Sequence, residues 1–154
     1  MKQATRAMKF LNQKRIAFEV VEYEHEEKGA AFASQATGFP LEKTVKTLVT
    51  DLGDKRYALA LMPGTRQLSL KRLAQVFGVK KAVMADSAAA ERLTGYLVGG
   101  ISPFGTKQRL PVVMDASLIN HDKIVINAGQ RGSMLKMSPD DIVKALECKV
   151  SELG

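Results

Sequence analysis

The sequence has little of the chemistry that many active sites and extracellular scaffolds use. Its 154 residues include one cysteine, two histidines and no tryptophan. A single cysteine excludes an internal disulfide and fits a reducing cytoplasm. His25 and His121 lie far apart and belong to no HExxH motif or cysteine/histidine cluster, so catalytic zinc has little support. No apolar run reaches the ~18 residues that a membrane-spanning helix needs.

The common nucleophile and phosphate motifs are missing as well. The segment Gly100-Ile101-Ser102-Pro103-Phe104 departs from the Gly-x-Ser-x-Gly elbow, and a proline after the serine has no N–H for an oxyanion hole. Cys148 lies between Glu147 and Lys149 with no histidine nearby in the sequence, which favours a passive thiol. Neither a P-loop nor a G-x-G-x-x-G loop is present. We therefore expect a site without a metal or a cofactor.

The composition otherwise predicts a globular domain with a basic surface. Hydrophobic residues make up 45% of the chain and charged residues 25%, which suits one domain with a core. The net charge is +7, although five glutamates lie between positions 19 and 27. This basic excess indicates an anionic partner, of which nucleic acid is the most plausible. Solubility alone is the alternative explanation.

Helical and strand patterns alternate irregularly along the chain. Helices are predicted over 3–13, from Ser69 to Gly78, from Asp86 or Ser87 to Gly95, and from Ser138 onwards. Hairpins and short strands are predicted over 44–51 with 57–62, 124–128 with 133–137, 16–20, 80–84 and 110–114. The stretch from 25 to 38 is predicted to be a loop with a short helix near Phe32–Thr37. This mix predicts an α+β domain with a mixed sheet rather than a doubly wound parallel sheet.

The most distinctive stretch is Gly99–Gly105. The apolar run Tyr96-Leu97-Val98 predicts a strand that leads into it. Its two leading glycines have no Cβ, so a ligand or another backbone can approach closely, and Pro103 stiffens the loop. Lys107 and Arg109 follow at once, so free N–H groups would lie beside two cations, which suits an anion or a polarised carbonyl. The alternative is a tight connection between strands that binds no ligand.

Several other side chains are candidates for the same site. Lys46 and Thr47 lie within an apolar strand, where the lysine faces either a pocket or solvent at a sheet edge. Arg131 stands in a glycine-rich turn and adds a second cation. Tyr23 and Phe32 flank the uncertain loop, and they are either core residues or platforms on which a base or ribose stacks.

Five segments occur in a fixed order, namely Tyr23-Glu24-His25, Val45-Lys46-Thr47-Leu48, Thr94 to Gly105, Arg109-Leu110-Pro111 and Gly129-Gln130-Arg131-Gly132. In this order they resemble the YbaK/EbsC family, over almost the whole chain. The resemblance implies one aminoacyl-tRNA editing domain over 1–154, with a mixed sheet curled toward a barrel and helices around it. It also implies a cytoplasmic enzyme whose partner is aminoacyl-tRNA, with or without prolyl-tRNA synthetase in a complex.

Within this family the chain is most similar to the Cys-tRNA(Pro) deacylases. The resemblance therefore implies hydrolysis of Cys-tRNA(Pro), and also of Cys-tRNA(Cys) as an option, without a metal or a protein nucleophile. The thiol of the bound cysteine would attack its own ester carbonyl and expel the tRNA. The alternatives are an Ala-tRNA(Pro) deacylase of the same family, a non-catalytic module that binds aminoacyl-tRNA or a nucleotide, and a metal-independent hydrolase of small esters.

The resemblance also implies roles for individual residues. Lys46 would hold the terminal phosphate or ribose, and the N–H groups of Gly99, Gly100 and Ile101 would face the carbonyl oxygen. The positions that would contact substrate are Tyr23, Phe32, Thr47, Ser102 and Arg131. Family members often carry a serine near Asn127 and an acid near Met134, and both departures put the preferred amino acid in question. Lysines and arginines that are candidates for tRNA backbone contacts, or else form a solvated basic face, are Lys71, Arg72, Lys80 and Lys81.

Overall fold

A computed structural model describes residues 4–24 and 30–154. The α-helices in this part of the chain are α1 (Arg6–Gln13), α2 (Ala30–Thr37), α3 (Leu70–Phe77), α4 (Ser87–Thr94) and α5 (Pro139–Leu146). The strands are β1 (Glu19–Glu22), β2 (Val45–Gly53), β3 (Arg56–Pro63), β4 (Val83–Met84), β5 (Val112–Asp115), β6 (Ile124–Asn127), β7 (Ser133–Met137) and β8 (Lys149–Ser151). Short 3₁₀ helices span Leu41–Lys43 and Ala116–Asn120. No helix in the described ranges is long and apolar enough to cross a membrane.

The strands form two sheets. The larger has the order β4-β2-β3-β5-β8, in which β2 pairs antiparallel with β3 and β4, whereas β5 pairs parallel with β3 and β8. The smaller is an antiparallel sheet of order β1-β7-β6. A parallel bridge between Thr44 and Val125 links the two sheets. The α+β class with a mixed sheet is confirmed, and the described strands do not close into a barrel.

The larger sheet is covered on both faces. Alternation along β3 places Leu59 and Leu61 on one face, in a core cluster with residues of α1, α4 and α5. Ala60 and Met62 lie on the other face, where they pack against α3. Burial on both faces explains why the sequence of β3 is apolar nearly throughout.

The helix ends follow the predicted capping residues. Ser69, Asp86 and Ser138 are N-caps, and each side chain accepts a hydrogen bond from the N–H three residues later. Gly78 and Gly95 end α3 and α4 in the left-handed conformation. The short helix predicted near Phe32–Thr37 is confirmed as α2, and positions 25–29 of the predicted loop lie outside the described residues.

The strand predicted at Tyr96-Leu97-Val98 is wrong, because this segment is irregular. Its backbone donors have local partners that a strand would not use. The Val98 N–H donates to Glu91 Oε2 at 2.8 Å, so a side chain of α4 holds it. Tyr96 is buried, and its hydroxyl donates to Phe104 O at 2.5 Å. Of this apolar run only Tyr96 packs into the core, whereas Leu97 is 74% exposed.

Candidate functional site

A cavity of about 270 Å³ lies where one edge of β2 meets the segment Val98–Ile101 and the β6–β7 hairpin. It brings together five of the predicted site residues: Tyr23, Lys46, Thr47, Gly99 and Ile101. The other lining residues are Ala30, Ala33, Val45, Leu48, Val98, Asn127 and Met134. Both positions that depart from the family pattern, Asn127 and Met134, therefore belong to the cavity wall. Sequence patterns gave no signal for the two alanines of α2.

The edge of β2 that borders the cavity carries unpaired backbone groups. On this side β4 pairs with β2 only at Thr50 and Asp51, and β6 meets the chain at the Thr44–Val125 bridge. Between these two places no described strand pairs with β2. The Ala85 N–H donates to Val49 O, which shows that the peptide groups of Val49 point away from β3. Because this direction alternates along a strand, those of Thr47 point the same way. The cavity wall thus offers a main-chain donor and an acceptor at Thr47.

The hydroxyl of Thr47 is also uncommitted. Thr47 Oγ1 is buried and has no hydrogen-bond partner among the described residues. A buried polar atom without a partner costs about 1–3 kcal/mol. A ligand in the cavity that Thr47 lines would offset this cost by hydrogen bonding to the hydroxyl.

Lys46 provides a positive charge at the rim of the cavity. Its side chain alternates with that of Thr47 and projects on the face of the sheet that carries α3, as does Leu48. The ammonium donates to Arg66 O at 2.8 Å, and an ammonium has three donors, so it can bind further acceptors. Partial burial removes the ammonium from water and lowers the pKa of Lys46 from its usual value.

The glycine loop presents fewer donors to the cavity than its sequence suggests. The Gly100 N–H donates to Leu97 O at 2.9 Å within a turn, and Gly100 does not line the cavity. The N–H groups of Gly99 and Ile101 have no partner among the described residues, and both residues line the cavity. Two of the three expected backbone donors are therefore available to a bound group.

The β6–β7 turn holds this loop in place. Arg131 Nη2 donates to Val98 O at 3.1 Å, and Asn127 Nδ2 donates to Gly99 O at 3.3 Å. A Cβ on Gly99 would lie 2.6 Å from Arg131 Nε, and one on Gly100 would lie 3.0 Å from Gln130 Cα. Gly99 has a φ of +95°, a conformation that favours glycine, and Gly100 packs closely against the backbone of Gln130, so both glycines are explained independently of any ligand.

Three predicted contact residues, Phe32, Ser102 and Arg131, lie outside the cavity lining. Ser102 is fully buried, and its Oγ accepts a hydrogen bond from the Phe104 N–H at 3.3 Å. Phe32 packs beside Tyr23, which lines the cavity, and the two ring centroids lie 6.3 Å apart. Of the predicted contact residues, Tyr23 and Thr47 therefore line the cavity, whereas the others contact residues that line it or lie next to them.

Among residues 4–24 and 30–154, those that line the cavity include no carboxylate, imidazole or thiol. In the part of the chain that the structure describes, no group of three or more His, Cys, Asp or Glu side chains could hold a metal ion. Burial raises the pKa of the Cys148 thiol to about 12, and this residue lies outside the cavity. The site can therefore bind a small uncharged group, hydrogen bond to a carbonyl oxygen and hold an anion at its rim.

Comparison with known proteins gives the site its context. The sequence model of the family described as "Aminoacyl-tRNA editing domain" matches residues 24–145. A protein of Enterococcus faecalis named as a Cys-tRNA(Pro)/Cys-tRNA(Cys) deacylase, EbsC, is 31% identical over 98% of this chain and 93% of its own length. The protein of Escherichia coli K12 named multifunctional Ser/Thr-tRNA deacylase ProXp-y is 30% identical over 90% of this chain and 85% of its own length.

The fold leads to the same group of proteins. A crystal structure described as a trans-editing enzyme for prolyl-tRNA synthetase superimposes with a TM-score of 0.89. The alignment covers 97% of this chain and 95% of the other, at 26% identity. The sequence matches and this superposition confirm the resemblance that the motifs indicated. The chain belongs to the YbaK/EbsC family of aminoacyl-tRNA editing domains, and the two relatives described above are named aminoacyl-tRNA deacylases.

Proposed function

We propose that this protein deacylates mischarged Cys-tRNA(Pro), and that the thiol of the substrate performs the attack. The observation that carries the proposal is a cavity with hydrogen-bond donors and a rim cation, in which no described lining residue carries a thiol, imidazole or carboxylate. Such a site can bind and orient an ester while the reactive group comes from the substrate. The relative from Enterococcus faecalis named for Cys-tRNA deacylation supports this choice of amino acid.

The proposed reaction begins with loss of the proton from the cysteine thiol of the substrate. The thiolate forms a C–S bond with its own ester carbonyl, the C–O bond to the ribose breaks, and the ribose hydroxyl takes up a proton. Free tRNA and a cyclic thiolactone leave the site, and water then opens the thiolactone to cysteine. Alanine has no thiol, so it could bind in the same cavity without reacting.

The residues of the site would assist in three ways. The N–H groups of Gly99 and Ile101 would hydrogen bond to the carbonyl oxygen as negative charge develops there. Lys46 would hold the terminal phosphate or ribose at the rim, and Thr47 would hydrogen bond to the aminoacyl group. The proposal places the protein in the cytoplasm, where a synthetase such as prolyl-tRNA synthetase releases its charged product.

A hydroxyl-bearing amino acid is the second candidate substrate. The unpartnered hydroxyl of Thr47 could pair with the hydroxyl of a seryl or threonyl group. The relative from Escherichia coli is named for Ser/Thr-tRNA deacylation, which favours the same alternative. A hydroxyl is a much weaker nucleophile than a thiolate, so on these substrates a bound water would have to attack.

The test is deacylation of labelled Cys-, Ala-, Ser- and Thr-tRNA by the wild-type protein and by Lys46→Ala. We expect loss of the cysteinyl group alone. Removing the rim cation should lower kcat/KM by about 10²-fold, which is typical for loss of one group that stabilises developing charge. Lys123→Ala removes an exposed lysine away from the cavity and should retain full activity.

Two results would contradict this proposal. Deacylation of Ala-tRNA at the rate of Cys-tRNA would exclude attack by the substrate's own side chain. Failure to deacylate any of the four, with tRNA still bound, would identify a binding module rather than an enzyme.

A further inference from the structure

A second concave surface lies beside α3, and its charged side chains are all basic. This lysine groove, of about 390 Å³, is lined by Lys71, Lys80 and Lys81 together with Gln75 and small apolar residues. All three lysines are exposed, and none has an acidic partner within 4 Å among the described residues. The neighbouring Arg72, in contrast, lies 3.8 Å from Glu152. The groove therefore carries uncompensated positive charge.

The lysine groove and Lys46 lie on the same face of the larger sheet. Lys46 alternates in step with Leu48, and Leu48 packs against the core cluster that α3 covers. The cation at the rim of the cavity and the lysines beside α3 thus lie on the same side of the larger sheet. The deacylation proposal uses only the first of these charges.

The strand register gives the separation between them. β4 runs antiparallel to β2 with Val83 opposite Asp51, so Lys81 lies near the Gly53 end of β2. Lys46 lies at the opposite end, seven positions away along the strand. At about 3.3 Å per residue the separation is about 23 Å. One strand of a B-form duplex carries a phosphate every ~3.4 Å, and an A-form RNA stem is more compact along its axis, so at least about seven nucleotides cover this distance.

From this we infer that the lysine groove binds the phosphate backbone of the tRNA acceptor stem while the esterified 3′ end occupies the cavity. The inference rests on the proposed function, which brings the 3′ end to Lys46. About seven nucleotides reach past the unpaired 3′ end into the first base pairs of the stem. Basic side chains without acidic partners are what a phosphate backbone requires, and they give affinity without sequence preference.

The first experiment measures binding of uncharged tRNA(Pro) as a function of salt concentration. The groove variant changes Lys71, Lys80 and Lys81 to Gln. The control variant changes Lys9, Lys123 and Lys144 to Gln, which removes the same net charge from exposed positions outside the groove. We expect the groove variant to bind at least about 10-fold more weakly at moderate salt. The negative slope of log K against log salt should become less steep by about 2–3. The control should keep the slope of the wild type.

The second experiment separates this inference from the proposed function. The substrate is cysteinyl-CCA, a trinucleotide too short to reach the groove from the cavity. The groove variant should deacylate it as the wild type does, whereas its KM for full-length Cys-tRNA(Pro) should rise about 10-fold. If the wild type deacylates neither substrate, the proposed function fails, and the salt slopes still decide the role of the groove.

Two outcomes would overturn the inference. Equal salt slopes and affinities for the groove and control variants would show that tRNA binding depends on the net charge of the protein and not on the position of the lysines. Binding of the wild type to vesicles of anionic phospholipid, lost in the groove variant while tRNA binding is retained, would assign the groove to a membrane surface instead.

Discussion

At the scale of single residues, Thr47 carries a cost that a folded protein normally avoids. Its hydroxyl is buried and has no partner in the part of the chain that the structure describes, whereas the hydroxyl of Thr50 on the same strand donates to Ala58 O at 2.8 Å. The two threonines therefore form a matched pair, one with a satisfied hydroxyl and one without. If the Thr47 hydroxyl serves a ligand, its removal should affect activity and stability in opposite directions.

We predict that Thr47→Val keeps or raises the free energy of unfolding, by up to about 1 kcal/mol, because it removes an unsatisfied group and conserves shape. The same substitution should lower kcat/KM for deacylation about 10-fold, since a hydrogen bond to the substrate is lost. Urea unfolding and deacylation assays measure the two effects. Thr50→Val should do the reverse, with a loss of about 1 kcal/mol in stability and normal turnover. A loss of stability in Thr47→Val with normal turnover would show that the hydroxyl has no role at the site.

The sequence predicted residue identities at the site better than it predicted hydrogen-bond partners. Lys46, Thr47 and Gly99 could be selected from the motif order, and all of them line the cavity. The occupation of the Gly100 N–H by Leu97 O could not be predicted, because it depends on a turn that the sequence pattern presented as the end of a strand. Ser102 is buried for a similar reason, since its hydroxyl caps the Phe104 N–H within the loop.

At the scale of elements, sequence patterns predicted helix ends, which depend on neighbouring residues, better than strands, which depend on distant pairing partners. N-caps such as Ser69 and C-caps such as Gly78 act within one turn of helix, so the ends of α3 could be predicted from neighbouring residues. The segment Tyr96-Leu97-Val98 is apolar like a strand, but the Val98 N–H donates to Glu91 and none of the described strands pairs with the segment. The strand β8 is short and exposed, and its parallel pairing with β5 left no pattern to detect.

The β6–β7 turn contacts the glycine loop through Arg131. Because Arg131 Nη2 holds Val98 O, we predict that Arg131→Ala lets the loop shift and lowers kcat about 10-fold, since a displacement of about 1 Å already reduces turnover substantially. KM for full-length tRNA should change little, and Arg131→Lys should restore part of the activity. Steady-state kinetics on Cys-tRNA(Pro) separate the two constants.

Arg109→Ala provides the matched control for this element. Arg109 is an exposed arginine paired with Glu147, and it does not line the cavity. Its removal should leave kcat unchanged. If Arg131→Ala raises KM instead and leaves kcat unchanged, Arg131 contacts the tRNA directly, as the family resemblance implies, and is not a loop clamp.

At the scale of the whole molecule, one buried carboxylate connects the core with the rim of the cavity. Asp115 is fully buried at the end of β5, where it accepts hydrogen bonds from the Leu153 N–H at 2.8 Å and from Ser117. It also pairs with Arg66 Nη1 at 3.3 Å. The main-chain oxygen of Arg66 in turn accepts a hydrogen bond from the ammonium of Lys46. Asp115 therefore fixes both the C-terminal segment and the loop that positions the rim cation.

The charge of Asp115 predicts how this arrangement responds to acid. Burial by itself would raise the pKa of Asp115, but hydrogen bonds from Ser117 and Leu153 and the charge of Arg66 outweigh it and lower the pKa. A carboxylate whose pKa is lower in the folded state stabilises the protein above the unfolded pKa of about 3.9, and this contribution is lost as the pH falls through the folded value. The stabilising charge is thus fully present at neutral pH.

We predict that Asp115→Asn lowers the free energy of unfolding by about 1–3 kcal/mol at neutral pH, because a buried charged acceptor is replaced by a neutral amide. The difference from the wild type should shrink as the pH falls below about 3.9, where the carboxylate of the unfolded chain gains its proton, and it should be lost once the pH passes the lower folded pKa. Urea unfolding at a series of pH values measures this, with the exposed Asp122→Asn as the control. A difference that stays constant with pH would assign the loss to packing. Because Arg66 also positions Lys46, Asp115→Asn should reduce deacylation at neutral pH even where the protein remains fully folded.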